Sequence, residues 1–224
     1  MMEAMDPPTP SAGDPGPPSD RLADRLEARP SAAGSDRTVV RVLRELAAVD
    51  KSVYRAVAAT PTPTIDGPLR AFTSAADRSK LWLGIAAVLF AAGGRKGRRA
   101  ALTGVAAIAT TSAVVNLPMK FAGARHRPDA AAAGVPESRR VEMPTSASFP
   151  SGHSASAAAF TAGVSSVVPA LGAPLGCAAA VVGYSRVHSG VHYPGDVIAG
   201  VVVGASIGEV VAWMGERIAE RRRG

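Results

Sequence analysis

A chain of 224 residues with 47% hydrophobic but only 4% aromatic side chains has room for one domain and a tail. Its formal charge is +7 and its pI about 10.3. The basic residues sit beside apolar runs and form no stripe interleaved with aromatics, which excludes a nucleic-acid surface and leaves an anionic membrane or a phosphate ligand.

Residues 1–35, with runs such as DPPTPSAGDPGPPSD, bury too little apolar surface to offset their ordering entropy, so a disordered tail is expected. No basic start and apolar core mark a signal peptide there. Residues 36–78 form the second region. Over 36–58, Val39, Val40, Leu43, Leu46, Ala47, Val53, Tyr54 and Val57 recur at helical spacing. Arg41, Arg44, Glu45, Asp50 and Lys51 interrupt them, so this amphipathic helix is too charged to span a bilayer. It is expected to lie in the membrane interface or to cover a bundle. The TPTPT run at 60–64 ends it, and a shorter amphipathic piece follows from Leu69 to Ala76.

Residues 79–214 carry five apolar segments, at about 79–94, 100–119, 153–170, 174–187 and 196–214, and residues 215–224 form a basic cytoplasmic tail. The segments show helical or featureless periodicity and lack the polar faces of a soluble bundle. The expected fold is all-α: an integral-membrane bundle of about five spanning helices preceded by the amphipathic helix. Cys177, the single cysteine, falls inside the fourth segment and is expected to act as a small buried hydrophobe. Arg95, Lys96, Arg98 and Arg99 lie between the first two segments, and Arg221, Arg222 and Arg223 follow the last. Basic clusters abutting apolar spans read as cytoplasmic. Alternating the spans puts both clusters on one side and stretches 120–153 and 185–196 on the other.

Three polar blocks occur at that second side. They are Lys120-x6-Arg127-Pro128, Pro150-Ser151-Gly152-His153, and Ser185-Arg186-x5-His192-x3-Asp196. Ionisable residues at membrane depth are costly and therefore functional by default. Lys120, Arg127 and Arg186 repel one another unless an anion lies between them, and guanidinium pairs clamp phosphate oxygens. Ser151 and Gly152 precede an apolar helix, whose first N–H groups form an anion site. Asp196, four residues after His192, can fix the imidazole tautomer, leaving the other nitrogen to attack phosphorus. His153 is then the general acid for the leaving oxygen. Lys120, Arg127, Arg186, Ser151 and Gly152 would stabilise the equatorial oxygens. No metal or other cofactor is expected, because these cations repel a divalent ion and no further carboxylate or cysteine stands near His153, His192 and Asp196. His126 and His188 are expected to be spacers or rim contacts, Tyr193 and Pro194 to shape the turn at His192, and Asp129, Glu137, Arg139 and Arg140 to gate the mouth or stay solvated.

In these blocks the sequence resembles the type-2 phosphatidic acid phosphatase superfamily over roughly residues 65–214. The resemblance implies a membrane lipid-phosphate phosphatase using a phosphohistidine intermediate, with the same residue roles. Members usually have six spans, and the helix over 36–58 stands in place of the first. The expected partners are a lipid-phosphate substrate and membrane lipids, with no nucleic acid; no feature fixes an oligomeric state. Polyprenyl diphosphate, phosphatidate and phosphatidylglycerol phosphate all fit as substrates. The expected location is the cytoplasmic membrane, multi-pass, with the site on the extracytoplasmic side. A vanadate-dependent haloperoxidase-like enzyme and a non-catalytic protein that binds lipid phosphate are the alternatives.

Overall fold

The computed structural model describes residues 35–119 and 125–221. Nearly all of the tail expected at 1–35 therefore lies outside the described residues. Helices and the turns between them account for the rest, and no strand occurs among the described residues.

Two helices precede the bundle: α1 (Ser35–Ala59) and α2 (Pro63–Ala75). Helix α2 starts nearly two turns earlier than the apolar pattern indicated, because Pro63 suits the first turn of a helix, where its missing N–H costs nothing. The bundle comprises α3 (Lys80–Ala92), α4 (Gly94–Val114), α5 (Gly152–Val167), α6 (Gly172–His188) and α7 (Pro194–Arg221). Each expected apolar segment is thus a helix. The basic residues 95–99, read as a hinge, form the first turns of α4 instead. The turn is made one residue earlier, at Gly93 and Gly94, where Gly94 has φ 58°.

Helix α5 lies at the centre, against α4, α6 and α7. Its contact with α7 is a seam of small residues. A Cβ at Gly204 would overlap the Ala155 carbonyl oxygen, and one at Gly208 would lie 2.6 Å from the Ala159 oxygen. Spaced four apart, these glycines lie on one face of α7 and let the two backbones meet. On the other side, Trp82 of α3 meets Phe160 of α5 with ring centroids 5.5 Å apart, at the centre of a core that includes Ile108, Val164 and Val182.

The outward faces remain apolar. Leu83, Val88 and Phe90 of α3 and Ile198, Val202, Val210, Trp213 and Ile218 of α7 are all exposed. Among the described residues, two stretches, Pro169–His188 and Pro194–Arg221, are long and apolar enough to cross a membrane. Helix α3, with 13 residues, is about 20 Å long against a hydrocarbon thickness of roughly 30 Å. Cys177 is exposed on α6 and is not the buried residue expected. An apolar segment that is helical all round places some of its small side chains outward.

The basic ends converge. Arg99, at the start of α4, lies 3.4 Å from Glu216 near the end of α7. The opposite end gathers the end of α4, the start of α5, the end of α6 and the start of α7. Helices α1 and α2 cover part of that end, through a second cluster in which Tyr54 and Ala58 meet Ala130, Val135 and Val187.

Candidate active site

The loop between α6 and α7 is built by local rules. Gly190 has φ 78° and turns the chain, while the Val191 and His192 N–H groups both donate to the Arg186 carbonyl. Pro194 opens α7, and Asp196 reaches back to accept from the Tyr193 N–H at 3.0 Å. That is the capping-box geometry of a carboxylate at the third helical position. Tyr193 and Pro194 thus shape this turn, as expected.

Asp196 is fully buried and joins all three blocks. Its Oδ2 accepts from Ser148 Oγ at 2.8 Å and lies 3.4 Å from His192 Nδ1. Its Oδ1 accepts from Arg125 at 3.0 Å, and its backbone carbonyl accepts from the Ser151 N–H at 2.9 Å. The Nδ1 contact is longer than a closed hydrogen bond, and Nδ1 has no other partner.

On its other side, His192 Nε2 lies 3.1 Å from Arg127 Nη1. A guanidinium only donates, so Nε2 accepts and the ring proton sits on Nδ1, toward Asp196. Arg127 also donates to the carbonyls of Ser146, Ala147 and Val191, so it clasps the 144–148 loop to the His192 turn.

Burial holds the His192 imidazole down to about 4; Asp196 pulls it upward and the Arg127 charge pushes it further down. The ring is therefore neutral at pH 7, with its Nε2 lone pair turned to the Arg127 N–H.

A cavity of about 260 Å³ is lined by Arg127, Gly152, His153 and His192 with Arg78, Thr111 and Ser156. The first helical bond of α5 is Ala155 N–H to the Ser151 carbonyl, so the Gly152 and His153 N–H groups lie ahead of the ladder. Ser151 itself is buried; its side chain caps the helix, accepting from Ser154 Oγ at 3.0 Å and from the Ser154 N–H at 3.4 Å. His153 Nε2 lies 2.8 Å from Asp77 Oδ1, an oxygen that is also 3.8 Å from Arg186 Nη1. Arg186 is buried behind the cavity wall, donates to Thr73 Oγ1 at 3.0 Å, and leaves its Nε unpartnered. Arg127, Ser151, Gly152, His153, Arg186, His192 and Asp196 thus share one end of the bundle. Lys120 lies outside the described residues.

Asp129 and Glu137 are exposed, in keeping with solvated loop residues, whereas Arg139 and His188 depart from expectation. Arg139 neither gates nor is solvated: it is buried, with Nε 2.9 Å from Asp66 and Nη2 2.7 Å from the Thr60 carbonyl. His188 is not a rim contact. It is buried, with Nε2 2.9 Å from Thr62 Oγ1 and 3.3 Å from Asp66. These side chains brace α2 against α6 and the 135–140 loop. Asp129 accepts from the N–H groups of Ala131 and Ala132, and Arg140 donates to the Val135 carbonyl. The site residues missed by sequence reasoning are Asp50, Asp77, Arg125 and Ser148. Asp50 carried a signal, since it follows Leu46 by four and precedes Tyr54 by four, a carboxylate on the apolar face of its helix. The others carried none in their spacing.

Among the described residues, no cluster of three or more His, Cys, Asp or Glu side chains could hold a metal ion.

The chain is similar to several known proteins. Curated relatives from two strains of Mycobacterium tuberculosis, named decaprenylphosphoryl-5-phosphoribose phosphatase, are 39% identical over 92 residues, which are 41% of this chain and 48% of theirs. The chain thus spans about half the length of the curated relatives it matches. A transmembrane PAP2-type phosphatidylglycerolphosphate phosphatase from Bacillus subtilis superposes with a TM-score of 0.56 at 23% identity, covering 79% of this chain and 87% of that one. LpxE from Aquifex aeolicus gives 0.59 at 22% identity, covering 73% and 94%. At such identities these structures show a shared fold. The model of the PAP2 superfamily matches residues 100–219, more than half of the chain, and that stretch holds all three polar blocks. On that match the chain belongs to the PAP2 superfamily, the type-2 phosphatidic acid phosphatase superfamily that its motifs resemble.

Proposed function

We propose that this protein is a membrane lipid-phosphate phosphatase acting through a phosphohistidine at His192. The observation that carries the reading is the placement of His192: its Nε2 faces Arg127 at 3.1 Å, its Nδ1 faces Asp196 at 3.4 Å, and the ring opens on the cavity that His153 and Gly152 also line. In the first step the Nε2 lone pair attacks phosphorus while the bond to the leaving oxygen breaks, and His153 gives that oxygen a proton. In the second, water attacks phosphorus while the phosphorus–nitrogen bond breaks and returns its electron pair to Nε2, His153 takes the water proton, and phosphate leaves. Arg127, Lys120 and the N–H groups at the start of α5 hold the equatorial oxygens, Arg186 adds its charge from behind the cavity wall, and Ser151 sets that helix start. Cations do here what a metal does elsewhere, so the reaction needs none.

The apolar outward faces of α3 and α7 support a lipid-facing bundle with about five spans. Trp213 under Arg217, 5.4 Å from centroid to guanidinium, suits a headgroup level at the basic end. With that end in the cytoplasm, the site faces outward. The substrate is a phosphate borne on a lipid. Polyprenyl-linked phosphate heads the candidates, because the Mycobacterium tuberculosis relatives are named for a decaprenyl-linked one.

Purified protein in detergent, given a panel of polyprenyl diphosphate, a polyprenyl-linked phosphosugar and phosphatidate, is expected to release phosphate in EDTA, whereas His192→Ala is inert. Turnover by His192→Ala, or activity restored only by an added metal, contradicts the mechanism.

A further inference from the structure

The amphipathic helix α1 lies outside the matched family stretch, yet one of its side chains reaches the site. Asp50 Oδ2 accepts from Arg125 Nη2 at 2.7 Å, and Asp50 Oδ1 accepts from the Gly195 N–H at 2.7 Å. The other amine of Arg125 donates to Asp196 Oδ1 at 3.0 Å. We infer that Asp50 is a positioning residue for His192, acting through Arg125 and Asp196. This inference rests on the reading of His192 as the nucleophile.

A guanidinium presents its two terminal amines in a rigid planar fork. Here one amine goes to each carboxylate, so Arg125 bridges Asp50 and Asp196. Its plane is fixed further by the Tyr193 ring, 4.2 Å away. The bridge settles which oxygen of Asp196 faces which partner: Oδ1 is committed to Arg125, and Oδ2 is left for Ser148, the Tyr193 N–H and His192. All three charged groups are well shielded, with side-chain exposures of 11% for Asp50, 16% for Arg125 and 0% for Asp196. In such a place a lost charge is not replaced by solvent.

Without the Asp50 charge, both amines of Arg125 can close on Asp196 in the favoured bidentate geometry. That closure turns Oδ2 away from His192 Nδ1. The imidazole then lacks the carboxylate that orients it and stabilises its positive ring once phosphorus is bound. Asp50 touches nothing in the cavity, so substrate binding keeps its cradle.

The test uses the full chain in detergent with dioctanoyl phosphatidate and p-nitrophenyl phosphate as probes. Asp50→Asn is expected to lower kcat about tenfold while KM moves less than about twofold, the size of a typical coupling between contacting groups. Arg125→Lys, one point charge for two carboxylates, should fall similarly. The double variant should be no slower than the slower single one, since both act on the same carboxylate. An unchanged kcat in Asp50→Asn, or losses that multiply in the double variant, overturns the inference. If Asp50→Asn elutes as aggregate, Arg125→Lys alone decides: a lowered kcat at constant KM supports the bridge, and a normal kcat overturns it. Wild-type protein inert on both probes, or His192→Ala as active as wild type, overturns the nucleophile assignment and this inference with it. An active wild type with an unaffected Asp50→Asn overturns the bridge alone.

Discussion

Arg127 Nη1 stands 3.1 Å from His192 Nε2, so a permanent cation faces the nitrogen that carries the lone pair. Under the proposed mechanism, the contact sets positive charge beside the attacking nitrogen. It also keeps a proton off Nε2, because a guanidinium cannot accept one.

The acid limb of the pH profile follows from that arrangement. Burial is the main force holding the His192 imidazole down, to about 4. Above that value the ring is neutral and nucleophilic; below it Nε2 binds a proton and cannot attack. Loss of kcat/KM through protonation of this ring should therefore appear only at about pH 4, where an unperturbed histidine would already lose it near 6.5. A half-loss near 6.5 would show the ring to be solvated.

Arg127→Lys keeps a charge but loses the fork that joins Ser146, Ala147, Val191 and His192. A fall in kcat/KM of about a hundredfold is expected, the cost of one donor to a developing anion. Initial rates on a water-soluble phosphomonoester measure it, and near-wild-type values would remove Arg127 from the cradle.

The seam between α5 and α7 has no room for side chains at Gly204. Gly204→Val forces the two helices apart and should destabilise the bundle by about 1–3 kcal/mol or more. Val202→Ala, on the exposed outer face, serves as the neutral comparison. Thermal unfolding in detergent separates them; equal midpoints would place the seam elsewhere.

Removal of the Asp66 carboxylate strands the buried Arg139 guanidinium, whose Nε lies 2.9 Å from it. Asp66→Ala should cost about 3–5 kcal/mol, the range for breaking one side of a buried ion pair. The same thermal assay reads it, and a shift no larger than that of a surface substitution would mean that water reaches the pair.

The sequence by itself determined the helices and the three polar blocks that meet at one end of the bundle. Apolar runs at helical period become helices wherever the backbone must satisfy its own hydrogen bonds. Blocks such as PSGH and HYPGD set local turns and caps whose partners lie within a few residues. His192 and Asp196 are one such pair, four residues apart at a helix start. Only the tertiary structure decided which charges face one another across the chain. Asp50 and Arg125 are 75 residues apart, and Asp77 and His153 are 76 apart. No local rule links such positions. Arg139 read as a solvated loop cation until the fold brought Asp66 to it, and His188 read as a rim residue until Thr62 and Asp66 closed over it. A side chain's charge is written in the sequence, but its partner is set by which helix ends meet, and that depends on the packing of glycine and alanine seams along the whole bundle.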